Sequence, residues 1–153
     1  RDAEEAKASY ESGNFPAAAN RFEALATQFP GSPNAERYRF FAALAAARGA
    51  IDAPTSKDDP QPGAAKLAEF LSTHGSSPLA QAGSGFGSDI VDAGRKLADN
   101  LADFAGNRLK EYRAAAANPA AYRLDQVSTE NLSAAEAAES QGTALLPTLD
   151  RYR

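Results

Sequence analysis

The stretch Ala6–Pro33 constrains the fold of this chain more than any other, because it has the pattern of two short amphipathic helices joined by a tight turn. After a break at Gly13–Asn14, apolar side chains recur at helical spacing at positions Phe15, Ala18, Phe22, Leu25 and Phe29. The alternation of small and large side chains favours two antiparallel helices that approach closely and interdigitate. We therefore predict a helical hairpin at the start of the chain.

The composition of the whole chain favours helices as well. Ala, Leu, Glu and Arg are abundant, whereas the β-branched residues Val and Ile, which strands prefer, are nearly absent. A chain of 153 residues is long enough to bury one hydrophobic core. We predict an all-α fold in which residues 1–153 form a single helical domain of six or seven helices.

Charge and residue usage limit the possible functions. The formal net charge of −4 argues against non-specific nucleic-acid binding, which needs an electropositive surface. The chain has no cysteine for thiol catalysis or thiolate metal sites, and no apolar run approaches the roughly 20 residues that span a bilayer. We expect no nucleic-acid partner and no membrane insertion within this segment. Because the chain starts at Arg1 and lacks Met, we expect it to be a fragment of a longer protein.

Turn and cap residues predict the helix boundaries of the first half. Four helices are expected, at residues 2–12, 14–29, 34–48 and 63–74. Asn14 is the predicted N-cap of the second helix, and Gly49 is the predicted end of the third. Residues 52–61 (DAPTSKDDPQ) are acidic, polar and interrupted by proline, so we predict an exposed loop there.

The second half has longer periodic segments. A glycine-rich segment, Gly83–Ser88, precedes one long predicted helix from Asp89 to Ala117, which Asn118–Pro119 ends. A short segment, 120–127, follows. Ser128–Thr129 then caps a last predicted helix at 130–146, which ends at Pro147.

One helix-pair unit occurs twice in the first half. The segments Phe29–Ala35 (FPGSPNA) and His74–Ala80 (HGSSPLA) are similar at an offset of 45 residues. The same offset places Phe22 on Leu67 and Leu25 on Phe70, so that the apolar anchors correspond. A repeat period of about 20–50 residues is typical of helical solenoids.

These residues resemble the tetratricopeptide repeat family. Ala18, Phe22, Leu25 and Pro30 stand at the spacing of that family's second helix, and the turn and first helix are matched by Gly13, Phe15, Tyr10 and Ala8. The resemblance covers roughly residues 2–80. It divides them into one unit at 2–31 and a second at 32–77, which contains the 52–61 loop as an insertion. The rest of the chain, 78–153, is expected to form longer C-terminal helices. The second unit departs from the family pattern, since Gly63 and Gly75 replace the small Ala and the terminal Pro.

The resemblance implies a right-handed α-solenoid of antiparallel helix pairs whose concave face holds a peptide or a partner helix. Its facing positions in this chain are Lys7, Tyr10, Asn34, Arg37, Tyr38 and Phe41. Such aromatic and Arg side chains dominate interface energetics. The alternative for the three aromatic residues is that they pack between repeats. The sequence of residues 10–35 is most similar to bacterial cell-envelope members of the family, so we expect a cell-envelope or periplasmic location.

Signals for chemistry are few. The glycine-rich segment lacks a preceding strand and a Lys-Ser/Thr pair, so we interpret it as a hinge rather than a phosphate-binding loop. His74 is the only histidine, and we expect it to meet free carbonyls at the end of its helix. We predict no catalytic residue, cofactor or metal. The predicted function is a non-catalytic protein–protein interaction or scaffold module that presents a helix-lined groove to a protein or peptide, or to other domains of its parent chain. The alternative is a helical accessory or regulatory domain of a larger enzyme.

Overall fold

The computed structural model describes residues 1–118 and 126–153, and within them it contains α-helices, one short 3₁₀ turn and no strand. The all-α prediction is therefore confirmed. The segment predicted at 120–127 lies largely outside the described residues. The helices are α1 (Asp2–Glu11), α2 (Phe15–Gln28), α3 (Ala35–Asp52), α4 (Gln61–His74), α5 (Gly87–Ala117) and α6 (Gln126–Asp150), with the 3₁₀ turn at Pro78–Ala80.

The first two helices form the predicted hairpin. Gly13 has a left-handed φ of 81°, which glycine adopts without the steric cost of a Cβ atom. Asn14 caps α2, since its side chain accepts a hydrogen bond of 3.4 Å from the backbone N–H of Ala17. An ion pair of 2.9 Å between Arg21 and Glu5 joins the two helices.

The prediction that α3 ends at Gly49 is wrong, because the helix continues to Asp52. The Cα of Gly49 faces the start of α2, where an added Cβ atom would lie 3.5 Å from the Cβ of Phe15. The extra turn carries Ile51 into the core, where it is 1% exposed. Burial of this large apolar side chain outweighs the modest cost of glycine within a helix.

The 52–61 segment is only partly the exposed loop that the composition predicts. Backbone hydrogen bonds within residues 53–59 form successive turns, and Gln61 already belongs to α4. Its charged residues are exposed, but Ser56 and Pro60 are buried. The turns place Lys57 3.3 Å from Asp103 of α5, so this segment is packed against the helical body.

The helices α5 and α6 form a long antiparallel hairpin. Near one end Gly94 lies against Leu149, and near the other the side chain of Arg108 donates a 2.9 Å hydrogen bond to Asn131. A Cβ atom on Gly94 would overlap the δ-methyl groups of Leu149, so the two helices meet with no spare space at this point.

Both predicted boundaries of the last helix are wrong. Residues 128 and 129 lie inside α6 rather than capping it, and the helix runs through Pro147 to Asp150. The additional turn buries Leu149 completely and brings Tyr152, at 4% exposure, to the α4 end, where its hydroxyl donates a 3.2 Å hydrogen bond to the carbonyl of Gly75. These contacts compensate for the hydrogen bond that a proline removes from a helix.

The buried side chains form one contiguous core to which every helix contributes. Phe40 of α3 lies at its centre, fully buried, and its ring contacts those of Phe41, Phe70 and Phe86. The start of α5 runs beside α3 in the same direction, since Asp89 pairs with Arg48 and Asn100 donates a hydrogen bond to the carbonyl of Ile51. No helix in the described part of the chain has both the length and the apolar character that a bilayer crossing requires.

Candidate binding groove

A groove of about 780 Å³ opens between α1, α3 and the segment that leads into α5. We call it the aromatic groove. The six positions predicted from the sequence to face a partner all line it, namely Lys7, Tyr10, Asn34, Arg37, Tyr38 and Phe41. The structure thus brings together residues that are up to 34 positions apart in the chain.

Closely packed aromatic rings form the floor of the aromatic groove. The ring of Phe41 stacks on that of Phe22 at a centroid distance of 5.5 Å and meets the rings of Tyr10 and Phe86 edge-on at 5.5 and 4.8 Å. Phe41 is only 8% exposed, so most of its ring is in contact with the protein itself. Tyr10 and Tyr38 are half-buried and keep part of their rings at the groove surface.

A hydrogen-bonded network joins three helices at one wall of the aromatic groove. The hydroxyl of Tyr10 donates to Asp89 Oδ2 at 2.7 Å and accepts from Arg48 Nη1 at 2.9 Å. Arg48 and Asp89 also form a direct ion pair of 3.7 Å. Burial, and next the hydrogen bond to Asp89, raise the pKa of Tyr10 above its ordinary value. The neutral hydroxyl of Tyr10 thus both donates and accepts within this network.

The guanidinium of Arg48 is further enclosed by aromatic rings. It lies 4.5 Å from the ring centroid of Phe15 and 5.4 Å from that of Tyr10. These distances fall within the range of cation–π attraction. Arg48 is thus committed to contacts within the protein, and its role in the groove is to hold α1, α3 and α5 together.

Arg37 is arranged differently from Arg48. Its guanidinium lies 5.1 Å from the ring centroid of Phe86 and 5.8 Å from that of Phe41, while the residue itself is exposed. Among the described residues, no carboxylate lies within ion-pairing distance of it and no hydrogen-bond acceptor engages it. Arg37 therefore presents its N–H groups to the open side of the groove.

The glycine-rich segment supplies one wall of the aromatic groove. Gly83 and Gly85 have left-handed φ angles of 82° and 91°, which turn the chain sharply before α5. Ser84 fastens the turn, because its hydroxyl donates to the carbonyl of Leu79 at 2.7 Å and accepts from the backbone N–H of Phe86 at 3.2 Å. The turn places the ring of Phe86 against α3. The interpretation of this segment as a hinge stays a prediction.

Sequence reasoning missed Arg48, Phe86 and Asp89 as lining residues. For Arg48 a signal was present, since it follows Arg37 by three helical turns and so shares its face of α3. For Phe86 and Asp89 no local signal exists. Their position in the groove results from the return of the chain after α4.

His74 lies in the last turn of its helix, as predicted, but its observed contacts are with aromatic rings. Its ring is 5.7 Å from that of Phe70 and 5.9 Å from that of Phe40. Across the described residues, no group of three or more His, Cys, Asp or Glu side chains is placed to hold a metal ion.

Comparison of this chain with protein-family models, with curated proteins and with solved structures gives no match. The geometry and charge of the aromatic groove are therefore the features that indicate a function.

Proposed function

We propose that this protein is a non-catalytic interaction module that holds a peptide or a partner helix in the aromatic groove. The observation that carries the proposal is the convergence of Lys7, Tyr10, Asn34, Arg37, Tyr38 and Phe41 on one concave surface. The groove combines aromatic rings with arginine and amide groups, which are the side chains that contribute most to protein interfaces.

A tetratricopeptide-like arrangement of the helices is part of this proposal. In support of it, α1 and α2 form an antiparallel pair, and the start of α3 meets the end of α4 where Phe40 contacts Phe70 and His74. The small positions of the two proposed units, Ala18 and Gly63, are both buried.

The lining of the groove supports the same arrangement. The first helices of the proposed pairs, α1 and α3, each contribute more of the lining than any other helix, and the start of α5 continues it. In a tetratricopeptide-like solenoid with longer C-terminal helices, this face is the concave one. We extend the proposal to a location in a bacterial cell envelope, on the resemblance of residues 10–35 alone.

A capture experiment with matched variants tests the function. The protein is immobilised and exposed to proteins of its source organism, and bound proteins are identified by mass spectrometry. The groove variant carries Tyr38→Ala and Arg37→Glu. The control carries Arg39→Glu, an equal charge change on an exposed side chain that lies outside the groove and pairs with Glu36. Circular dichroism verifies that all variants fold.

We expect the unmodified protein and the Arg39→Glu control to capture the same protein, and the groove variant to lose it. Capture by all three proteins would place the interface elsewhere and contradict the proposal. Failure of all three proteins to capture a protein would also contradict the proposed function.

A further inference from the structure

The charges that line the aromatic groove are unevenly compensated. Three cationic side chains and two carboxylates line it, which leaves one net positive charge in a chain whose formal net charge is −4. Arg48 is paired with Asp89 at 3.7 Å, and Lys7 with Glu11 at 3.8 Å on the same helix. Arg37 is the lining cation that forms no ion pair with the described residues.

Contacts with aromatic rings restrict the orientation of Arg37. Its guanidinium carbon lies over the rings of Phe86 and Phe41, at 5.1 and 5.8 Å from their centroids. Contact with aromatic rings restricts the guanidinium plane and leaves its N–H edge free. That edge presents parallel donors whose spacing matches the two oxygens of a carboxylate. Less conformational entropy is lost on binding when the side chain is already ordered.

A cationic ligand does not suit this groove, although aromatic rings often bind cations. The protein's own arginines already occupy the ring faces, with Arg48 over Tyr10 and Phe15, and Arg37 over Phe41 and Phe86. Both lining carboxylates have partners within the protein, since Asp89 accepts a hydrogen bond from Tyr10 and Glu11 pairs with Lys7. A cation would have to displace these contacts, whereas an anion would add to them.

We propose that the occupant of the aromatic groove is an acidic peptide segment, in which an Asp or Glu side chain binds Arg37 and a neighbouring apolar side chain packs on the half-buried ring of Tyr38. This inference depends on the proposed function, because it names the chemistry of the partner in the same groove. Charge complementarity provides the specificity, and ring contact provides the apolar burial.

Display of random peptides on phage tests the inference. The peptides are fused through their carboxyl ends, so that side chains are the only source of carboxylate in them. The baits are the unmodified protein, Arg37→Glu, and the Arg39→Glu control. We expect the unmodified protein and the control to enrich peptides with Asp or Glu beside an aromatic or aliphatic residue. We expect Arg37→Glu to lose these peptides and to enrich Lys or Arg at the same position.

A synthetic copy of the most enriched peptide, acetylated and amidated at its ends, gives the quantitative measurement by fluorescence anisotropy. Replacement of its acidic residue by the corresponding amide should weaken binding to the unmodified protein by about tenfold or more, as for a charge-assisted hydrogen bond. The same replacement should have little effect on binding to Arg37→Gln. Equal loss in both proteins would overturn the assignment of Arg37.

The remaining outcomes separate this inference from the proposed function. Enrichment of peptides without acidic residues, lost in Tyr38→Ala, would overturn the acidic partner and leave the peptide-binding function standing. Failure of every bait to enrich a peptide would overturn the inference, and the capture experiment would decide the function separately. Concentration-dependent dimers in light scattering that Arg37→Glu abolishes would overturn it in favour of a second copy of this chain.

Discussion

The α5–α6 hairpin and the aromatic groove both lie where helices pack together, but they are lined by different kinds of side chain. In the hairpin, small residues such as Gly94, Ala135 and Ala138 let two long helices meet closely, and Leu149 fills the seam without exposure. In the groove, large rings and charged groups line the space between α1, α3 and α5.

The difference shows how one helical chain can divide stability and recognition between regions. Close packing of small and aliphatic side chains gives contact on all sides where Gly94 meets Leu149. In the aromatic groove the ring faces are largely buried, while ring edges and the N–H groups of the neighbouring Arg37 stay accessible. We expect substitutions in the hairpin to change stability most, and substitutions at the groove rim to change binding most.

The largest effect is expected at Leu149. Substitution Leu149→Ala should lower the free energy of unfolding by about 2–5 kcal/mol, because it removes a fully buried side chain and leaves a cavity. Urea unfolding followed by circular dichroism measures this loss. A change below about 1 kcal/mol would show that the seam is loosely packed.

The close contact between Gly94 and Leu149 allows a sharper test. Gly94→Ala should destabilise the unmodified protein, because the added methyl group overlaps Leu149. In the Leu149→Ala background the same change should stabilise, since the methyl group enters the vacated space and alanine favours helix by roughly 1 kcal/mol. A double-mutant cycle measures the coupling. If Gly94→Ala changed the free energy of unfolding in the same direction in both backgrounds, the contact between Gly94 and Leu149 would be contradicted.

A smaller effect on stability is expected at Tyr10, whose hydroxyl joins α1 to α3 and α5 at the wall of the groove. Tyr10→Phe should cost about 1–2 kcal/mol, because it deletes the hydroxyl that bridges Asp89 and Arg48 while their direct ion pair remains. Urea unfolding near neutral pH measures the cost. The matched control is Tyr38→Phe, since the contact observed for Tyr38 is through its ring, against that of Phe22.

The raised pKa of Tyr10 gives this stabilisation a pH dependence. In the unfolded chain Tyr10 loses its proton near the ordinary pKa of about 10, whereas the native state retains the proton to higher pH. The contribution is thus fully present below about pH 10 and is lost as the pH rises above it. The free energy of unfolding should fall more steeply in the unmodified protein than in Tyr10→Phe, by at most about 1.4 kcal/mol per pH unit. Parallel slopes would contradict the assignment.

A further effect is expected in the turn that carries Phe86. Gly83→Ala should cost about 1 kcal/mol, because alanine is strained at the left-handed φ of 82° although the space around it is open. Gly106→Ala, at an exposed and open site inside α5, is the control and should be neutral or stabilising. Thermal unfolding compares the two. A cost at Gly106 as large as that at Gly83 would show that the turn conformation is not the cause.

The smallest effect on stability is expected at Arg37. Arg37→Ala should lower the free energy of unfolding by about 0.5–1 kcal/mol, since the exposed side chain forms no ion pair among the described residues and loses only its contacts with the rings of Phe86 and Phe41. The same variant should lose binding of the acidic peptide. A loss of stability above about 1 kcal/mol would assign Arg37 a structural role and weaken the contrast between the two regions.

Local sequence signals placed much of the fold and of the candidate site. Gly13 and Asn14 determine the first turn through backbone freedom and side-chain capping, which involve only neighbouring residues. Lys7, Tyr10 and Tyr38 could be assigned to one surface because a repeat pattern specifies which helix faces it. Whether they bind a partner stays a prediction.

Helix propensity and capping act over a few residues, so they specify the helical class and the first hairpin without any tertiary contact. The positions of α3 that line the groove were expected only from the resemblance to the tetratricopeptide repeat family. The tertiary structure alone decided that α3 continues through Gly49 and α6 through Pro147, since burial of Ile51 and Leu149 outweighs the local breaking signals. It also decided that Phe86 completes the groove. These features depend on packing contacts between residues far apart in the chain, and a local sequence pattern does not encode such contacts.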